Sequence, residues 1–285
     1  MGWVNYHGHC HYCDGNGKPV EYVEAAIDKG MVAIGFSSHA PVPFESFWNM
    51  KKDRLSEYVA EINQLKLRYA GHIPIHLSLE IDYLENVMGP SDTIYNEIGL
   101  DYTIGSVHFV GQYHNGEHWT IDGSYDSFKK GLGEIYNGDV KRLVKDFFRL
   151  QRHMITEHQP TIVGHFDKIK MHNLKEPFFR MDDNWYLDEV RQFLELVAQN
   201  DTIVEINTKS FGRNGLLFPG KEHFKWLKEL AIPIVINSDA HYPSHLDAGF
   251  REVAIMLKDS GINDLAFLQD SKWNLVGFNE AGIII

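Results

Sequence analysis

The strongest constraint on the fold of this chain is a repeated unit. A short apolar run ends on a side chain of metal-binding type, and an amphipathic stretch of helical period follows. The apolar runs fall at 3–4, 31–36, 73–79, 102–107, 161–164, 202–207 and 233–238. Helical stretches are expected at 19–30, from a cap at Asp53 through Leu67, and at 124–137, 139–158, 183–199, 221–230 and 246–257, with a final short strand at 273–278. This order predicts an α/β fold, a parallel sheet with helices outside it. The runs are almost continuously apolar, as strands buried on both faces must be. So many units favour closure into a barrel over an open sheet, and no Gly-rich dinucleotide turn follows the first run. No Gly-, Ser- or Pro-rich linker divides the 285 residues, so a single domain over 1–285 is expected.

The ends of the runs carry the chemistry. His7 and His9, His39, Glu80, His108, His165, and Asp239 with His241 each follow a predicted strand, and only the sixth run lacks such a residue. Strand ends of a parallel barrel converge on one face. Singly, each has an ordinary explanation: a histidine after a strand is usually a satisfied loop or core residue, and Glu80 could pair with a lysine. Their coincidence, in a chain with 16 histidines, points to a metal site. Imidazoles with a few carboxylates suit Zn, Mn or Fe better than Ca or Mg. Counting Asp14, the candidates outnumber the ligands one ion accepts, and Glu80 could bridge two ions.

Composition excludes other classes. The formal net charge of -12 disfavours nucleic acid as a partner. No apolar run approaches the roughly 20 residues a membrane span needs, and the N-terminus lacks an export pattern, so a cytoplasmic protein is expected. The 2 cysteines form Cys10-x-x-Cys13. The pair is open to three readings: a redox pair, a structural zinc site with His7 or His9, or two small residues filling space beside a metal site. The last reading is preferred, because no second pair follows. The apolar tail Gly282-Ile283-Ile284-Ile285 is expected either to close the barrel or to meet a partner.

Beyond spacing, the chain resembles the PHP (polymerase and histidinol phosphatase) family. The resemblance rests on His7-x-His9, Ser37-Ser38-His39-Ala40, Leu79-Glu80-Ile81-Asp82-Tyr83, the run from Tyr102 to His108, Val163-Gly164-His165-Phe166-Asp167 and Asn237-Ser238-Asp239-Ala240-His241. It extends from His7 to about Gly249 and is greatest toward the monofunctional histidinol-phosphate phosphatases. It implies a distorted (β/α)7 barrel and a metal centre of two to three divalent transition ions (Zn, Mn or Fe). His7, His9, Glu80 and Asp239 would hold one ion, Glu80, His108 and His165 a second, and His39 and His241 a third, completed by Asp14 or His11.

The implied activity is hydrolysis of a small phosphorylated substrate, L-histidinol phosphate, through in-line attack by a metal-bridging hydroxide. Asp14 or His241 would assist the leaving alkoxide. Of the cations near the strand ends, Lys170 is preferred over Lys168 for the phosphate, together with Arg213. Glu117 and Asp122 are candidates for the substrate's ammonium and imidazole, with Phe44, Trp48 and Trp119 for stacking. Another PHP phosphoesterase, an amidohydrolase-type hydrolase and a non-hydrolytic PHP-like module remain as alternatives.

Overall fold

A computed structural model describes residues 1–285. Strand β1 (Val4–Asn5) leads through helix α1 (Pro19–Asp28) to β2 (Ala33–Phe36), and α2 (Leu55–Arg68) leads to β3 (Ile75–Leu77). Next come β4 (Glu80–Asp82), the short α3 (Thr93–Glu97) and β5 (Ile104–Ser106). A hairpin of β6 (Phe109–Gln112) and β7 (His118–Thr120) precedes α4 (Tyr125–Tyr136), α5 (Val140–His158) and β8 (Ile162–Val163). The alternation continues with α6 (Asn184–Gln199), β9 (Ile203–Asn207), α7 (Phe211–Asn214), α8 (Phe224–Glu229), β10 (Ile234–Asn237) and α9 (Phe250–Asp259). Strands β11 (Asp264–Gln269), β12 (Lys272–Asn279) and β13 (Gly282–Ile283) end the chain.

Local chemistry accounts for these elements. Pro19 opens α1, where its missing N–H is not needed, and the helix buries Tyr22, Val23 and Ala26. Ser124 caps α4 by accepting from the Ser127 N–H, and Asp139 caps α5 by accepting from that of Arg142. Asn137 and Gln159 end these two helices in the left-handed conformation. Every residue of β2, β9 and β10 is buried, as their apolar runs require. Gly35 in β2 is obligatory, because the Tyr102 phenol, donating to the Tyr6 carbonyl, occupies the space a Cβ would take.

The strands form two parallel sheets, ordered β1-β2-β3 and β10-β9-β8-β5-β4. Two parallel bridges join the sheets beyond the regular strands, Gly8 with Ala240 and His39 with Glu80. The run at 73–79, read from sequence as one strand, is therefore broken. Its first half pairs with β2, then the chain passes Ser78-Leu79 and re-pairs with β5 from Glu80 onward. Glu80 thus begins a strand rather than following one, at the seam between the sheets.

Other expectations are also corrected. The loop after His108 contains the β6–β7 hairpin, whose outer residues are polar. Asp53 caps nothing and lies within a 3-10 turn (Lys52–Arg54) ahead of α2. The last helix starts at Phe250, later than its apolar period suggests. The C-terminus is a three-stranded antiparallel sheet. In it Leu268 donates its N–H to Tyr6 Oη at 2.8 Å, and the buried Ile283 pairs with Gly2. The tail therefore covers the N-terminal strand. No helix is long and apolar enough to cross a membrane.

Candidate metal centre

The extended chain continues past β1, where His9 N donates to Ala240 O at 2.8 Å and Ala240 N to His7 O at 3.1 Å. Because side chains alternate, His7 and His9 face the same way, with ring centroids 5.0 Å apart. Glu80 stands opposite them. Its Oε2 lies 3.2 Å from His7 Nε2, 3.6 Å from His9 Nε2 and 2.8 Å from His39 Nδ1. Its Oε1 lies 3.0 Å from His165 Nε2 and 3.6 Å from His108 Nε2. Asp239 Oδ1 is 3.0 Å from His9 Nε2 and 3.4 Å from His241 Nδ1. Asp14 closes the rim, 3.3 Å from His241 Nε2 and 3.7 Å from His39 Nε2. His11 stays outside this set, its ring against Tyr12.

These donors suit transition ions. They form three overlapping groups: His7, His9 and Asp239; His39, Glu80 and His108; and His9, Asp14, His39 and His241. The partition differs from the family-implied one: Glu80 leaves the first group, His39 stands in place of His165 beside Glu80 and His108, His9 joins the third, and His165 belongs to no group although it touches Glu80 Oε1. Four of the buried atoms, His7 Nε2, His9 Nε2, His39 Nδ1 and Glu80 Oε2, make no hydrogen bond of acceptable geometry. Such buried atoms are costly unless a ligand satisfies them. Two of the candidate ligands, His165 and Asp239, have φ of +22° and +46°, a conformation disfavoured for any residue with a Cβ.

The local field divides the ligands. Burial and the facing His39 and His241 hold His9 well below its ordinary pKa, and burial with Lys168 lowers His165 to about 4. Both imidazoles are then neutral, as ligation requires. Burial also tends to lower His7, but the Glu205, Glu80 and Asp239 carboxylates hold it well above its ordinary value. His108 is lifted to about 8, burial being outweighed by Asp82, Glu80 and Asp122. Burial raises Glu80, but His7, His39 and His108 keep it well below the usual carboxylate range. Asp239 is held low against burial by Lys209 and His7.

The sequence profile of the PHP domain matches residues 5–209. The chain belongs to the PHP domain family. Among PHP relatives, a Deinococcus radiodurans protein named "Probable histidinol-phosphatase" is 27% identical over 270 residues, covering 93% of this chain and 96% of that protein. A Bacillus subtilis protein named histidinol-phosphatase is 25% identical over 256 residues, covering 83% of this chain and 91% of its own. The fold is that of the histidinol phosphate phosphatase crystal structure from Lactococcus lactis subsp. lactis, complexed with Zn, L-histidinol and phosphate. The two superpose with a TM-score of 0.67 at 19% identity, over 99% of each chain.

Around this PHP centre lies an open cleft of about 2140 Å³, walled by the loop after His39 and the β6–β7 hairpin. Glu117 and Asp122 line it, but Asp122 is already paired, with Lys168 Nζ at 2.8 Å. Lys168 lines the cleft as well, whereas Lys170 does not. The Lys170 ammonium turns away to Asp167, 2.5 Å off, and Glu222, 3.6 Å off, where it is buried. That pocket of Asp167, Glu222 and His223 thus already holds a cation. Arg213 is exposed on the single-turn α7 and is absent from the cleft wall. Its place is taken by Lys209, whose Nζ is 3.1 Å from Asp239 Oδ1 and 3.2 Å from His241 Nε2.

Of the aromatics, Trp48 sets its edge against His39 and His108, and Phe44 stacks on His118. Trp119 is a core residue packed on Phe128 and Tyr136, its indole donating to Ser127 O. Burial pushes the Cys10 thiol up to about 11 and that of Cys13 to about 12, so neither offers a thiolate. Two carboxylates behind the ligands were not identified from sequence. Asp82 Oδ1 is 2.8 Å from His108 Nδ1, and Glu205 Oε1 is 2.5 Å from His7 Nδ1.

Proposed function

We propose that this PHP chain is a metal-dependent phosphomonoesterase that hydrolyses L-histidinol phosphate to L-histidinol and phosphate. The observation that carries the reading is the convergence of His7, His9, Asp14, His39, His108, His165, Asp239 and His241 about Glu80, with unpartnered donor atoms facing inward. The names of the curated relatives support the substrate, as do the ligands of the Lactococcus lactis structure. On this reading the eight parallel strands, with β3 and β4 counted as the two halves of one broken strand and the sheets joined through the Gly8–Ala240 and His39–Glu80 bridges, compose one distorted (β/α)7 barrel over residues 1–285.

Two to three Zn, Mn or Fe ions, when bound, would supply a water of lowered pKa and neutralise phosphoryl charge. The chain's own residues do the rest. Lys168, fixed by Asp122, and Lys209, on a long flexible stem, present cations to the phosphoryl oxygens. Asp14 is held below the usual carboxylate range, burial being outweighed by His241, His39 and His9. It is therefore ionised and suited to be a ligand or a base. His241, its Nδ1 2.9 Å from the Asp239 carbonyl, is left as the group to protonate the leaving alkoxide. Glu117 and the Phe44–Trp48 wall face the organic part of the substrate.

A second PHP reading, a phosphatase for a bulkier monoester, is favoured only by the cleft volume, which exceeds the roughly 300–1,000 Å³ of ordinary ligand pockets. A panel of phosphomonoesters assayed with Mn²⁺, Zn²⁺ and Fe²⁺ separates the two. Histidinol phosphate should give the highest kcat/KM, and solvent oxygen-18 should appear in the phosphate. Equal turnover of generic aryl phosphates would favour the second reading, and label in the alcohol would end the scheme.

A further inference from the structure

Glu205 belongs to none of the ligand groups, yet it is fully buried in the middle of β9. Its Oε1 faces His7 Nδ1 at 2.5 Å and accepts from Asn237 Nδ2 at 3.0 Å. Its Oε2 accepts from the backbone N–H of His165 at 3.0 Å and from Asn207 Nδ2 at 2.9 Å. An ionised carboxylate offers about four acceptor sites, and here four donors occupy them.

Each contact bears on a candidate ligand. With one proton held on Nδ1 of His7 by the carboxylate, Nε2 is the nitrogen whose lone pair a metal ion would take, and Nε2 is one of the unpartnered buried atoms facing Glu80. The N–H of His165 is pinned in a residue whose φ is disfavoured. Asn207, oriented by Glu205, also donates to Asp239 Oδ2 at 3.3 Å, and Asp239 is the other ligand in the left-handed region. One carboxylate therefore restrains ligands at the ends of β1, β8 and β10.

We propose that Glu205 is a positioning residue of the metal centre, setting the His7 tautomer and holding His165 and Asp239 in their strained conformations. The proposal rests on the metal-centre reading above. Glu205→Gln keeps the shape but has a single acceptor oxygen. Its NH2 must then oppose either His7 Nδ1, driving that proton onto the metal-facing Nε2, or the donors of His165 and Asn207. Loss of an outer partner of this kind typically costs about 10–100-fold in metal affinity.

The test is competition of wild type and Glu205→Gln with a chromophoric chelator for Zn²⁺ and Co²⁺, with circular dichroism of the metal-free forms as the folding control. Glu205→Gln should keep its fold, lose affinity by that factor and change the visible spectrum of bound Co²⁺. Glu205→Asp, which retains the charge, should recover part of the loss. In the Zn²⁺-loaded wild type the nitrogen-15 spectrum of the His7 ring should show the proton on Nδ1, and this holds the proposal to account even if Glu205→Gln unfolds. Wild-type affinity in Glu205→Gln, or a His7 ring protonated on Nε2 in the Zn²⁺-loaded wild type, would overturn the positioning role while leaving the metal centre intact. A wild type that binds no metal would overturn the centre itself.

Discussion

Two lysines two residues apart should fail in opposite ways when truncated. Lys170 is buried, with its ammonium 2.5 Å from Asp167 Oδ2 and 3.6 Å from Glu222. Asp167 is fully buried, and its other donor is the Gly220 N–H at 2.9 Å. Removing one partner of a buried pair leaves the other charge uncompensated, at a cost of about 3–5 kcal/mol. At 2–4 °C per kcal/mol for a domain this large, Lys170→Met should lower Tm by roughly 6–20 °C. Because the group points away from the cleft, kcat/KM of the folded protein should stay near the wild-type value.

Lys168 reverses the pattern. Its partner Asp122 is partly exposed and can be re-solvated, so Lys168→Met should cost far less stability. Its ammonium lines the cleft and stays charged, since Asp122, Asp239 and Glu80 raise its pKa against the effect of burial. A charge-assisted hydrogen bond to a phosphoryl oxygen contributes about 1.5–3 kcal/mol, so kcat/KM on histidinol phosphate should fall by roughly 10–150-fold. The assays are thermal melts of the two variants and steady-state kinetics below their melting ranges. Wild-type kinetics for Lys168→Met, or lost activity with an unchanged Tm for Lys170→Met, would refute the assignment.

The other predictions follow from the same geometry. Arg213→Ala should leave kcat/KM within about twofold of wild type, while Lys209→Ala should lower it about tenfold or more by the same arithmetic; the reverse order would restore Arg213 as the phosphate ligand. With their thiols raised to about 11 and about 12, Cys10 and Cys13 should resist iodoacetamide at pH 8 until the chain is unfolded, and rapid labelling of the native protein would contradict this. Chelator treatment should abolish activity and lower Tm, and two to three equivalents of Mn²⁺, Zn²⁺ or Fe²⁺ should restore both; a single equivalent measured by elemental analysis would count against the centre. The metal-free protein should melt highest near pH 6.5. His165, lowered to about 4 by burial and Lys168, takes up a proton on unfolding below pH 6.5, so its effect makes stability rise toward that pH. His108, raised to about 8, stabilises fully below pH 6.5 and loses that contribution as pH climbs through 8. A Tm that increases steadily from pH 5 to 9 would exclude this.

How far the sequence disclosed the site depends on whether a residue's role follows from its chain neighbours. His7, His9, His39, His108, His165, Asp239 and His241 are legible because a strand end is a local feature and a parallel fold gathers such ends on one face. The break between β3 and β4 is not, since an apolar run does not record where its hydrogen-bonding partner changes. Lys168 and Lys170 defeat spacing for another reason. They lie in a 3-10 helix (Lys168–Leu174), where positions two apart point to different sides. A guanidinium makes Arg213 the obvious phosphate ligand by residue type, but the chain turns into α7 before reaching it, and Lys209, two residues beyond β9, is the cation that reaches back.

Glu205 and Asp82 did have a signal, a carboxylate inside an otherwise buried strand. A charge cannot remain there without donors, so each such residue implies a polar group on a neighbouring strand. The structure supplies those groups and arranges the charge in two layers. Behind the ligands, Glu205 and Asp82 face His7 and His108, and Asp167 is matched by the Lys170 ammonium, while in the cleft wall Asp122 is matched by that of Lys168. At the front, Asp14, Glu80 and Asp239 converge with imidazoles, of which burial holds His9 and His165 neutral while the carboxylates raise His7 and His108; Lys209 reaches Asp239 from the cleft. Without metal, these carboxylates are balanced by the raised His7 and His108 and by Lys209, and ligation would displace the imidazole protons. The unpartnered atoms of His7, His9, His39 and Glu80 face that same space. Convergent carboxylates and unsatisfied imidazole nitrogens thus meet at one spot on the strand ends, a donor set suited to divalent cations.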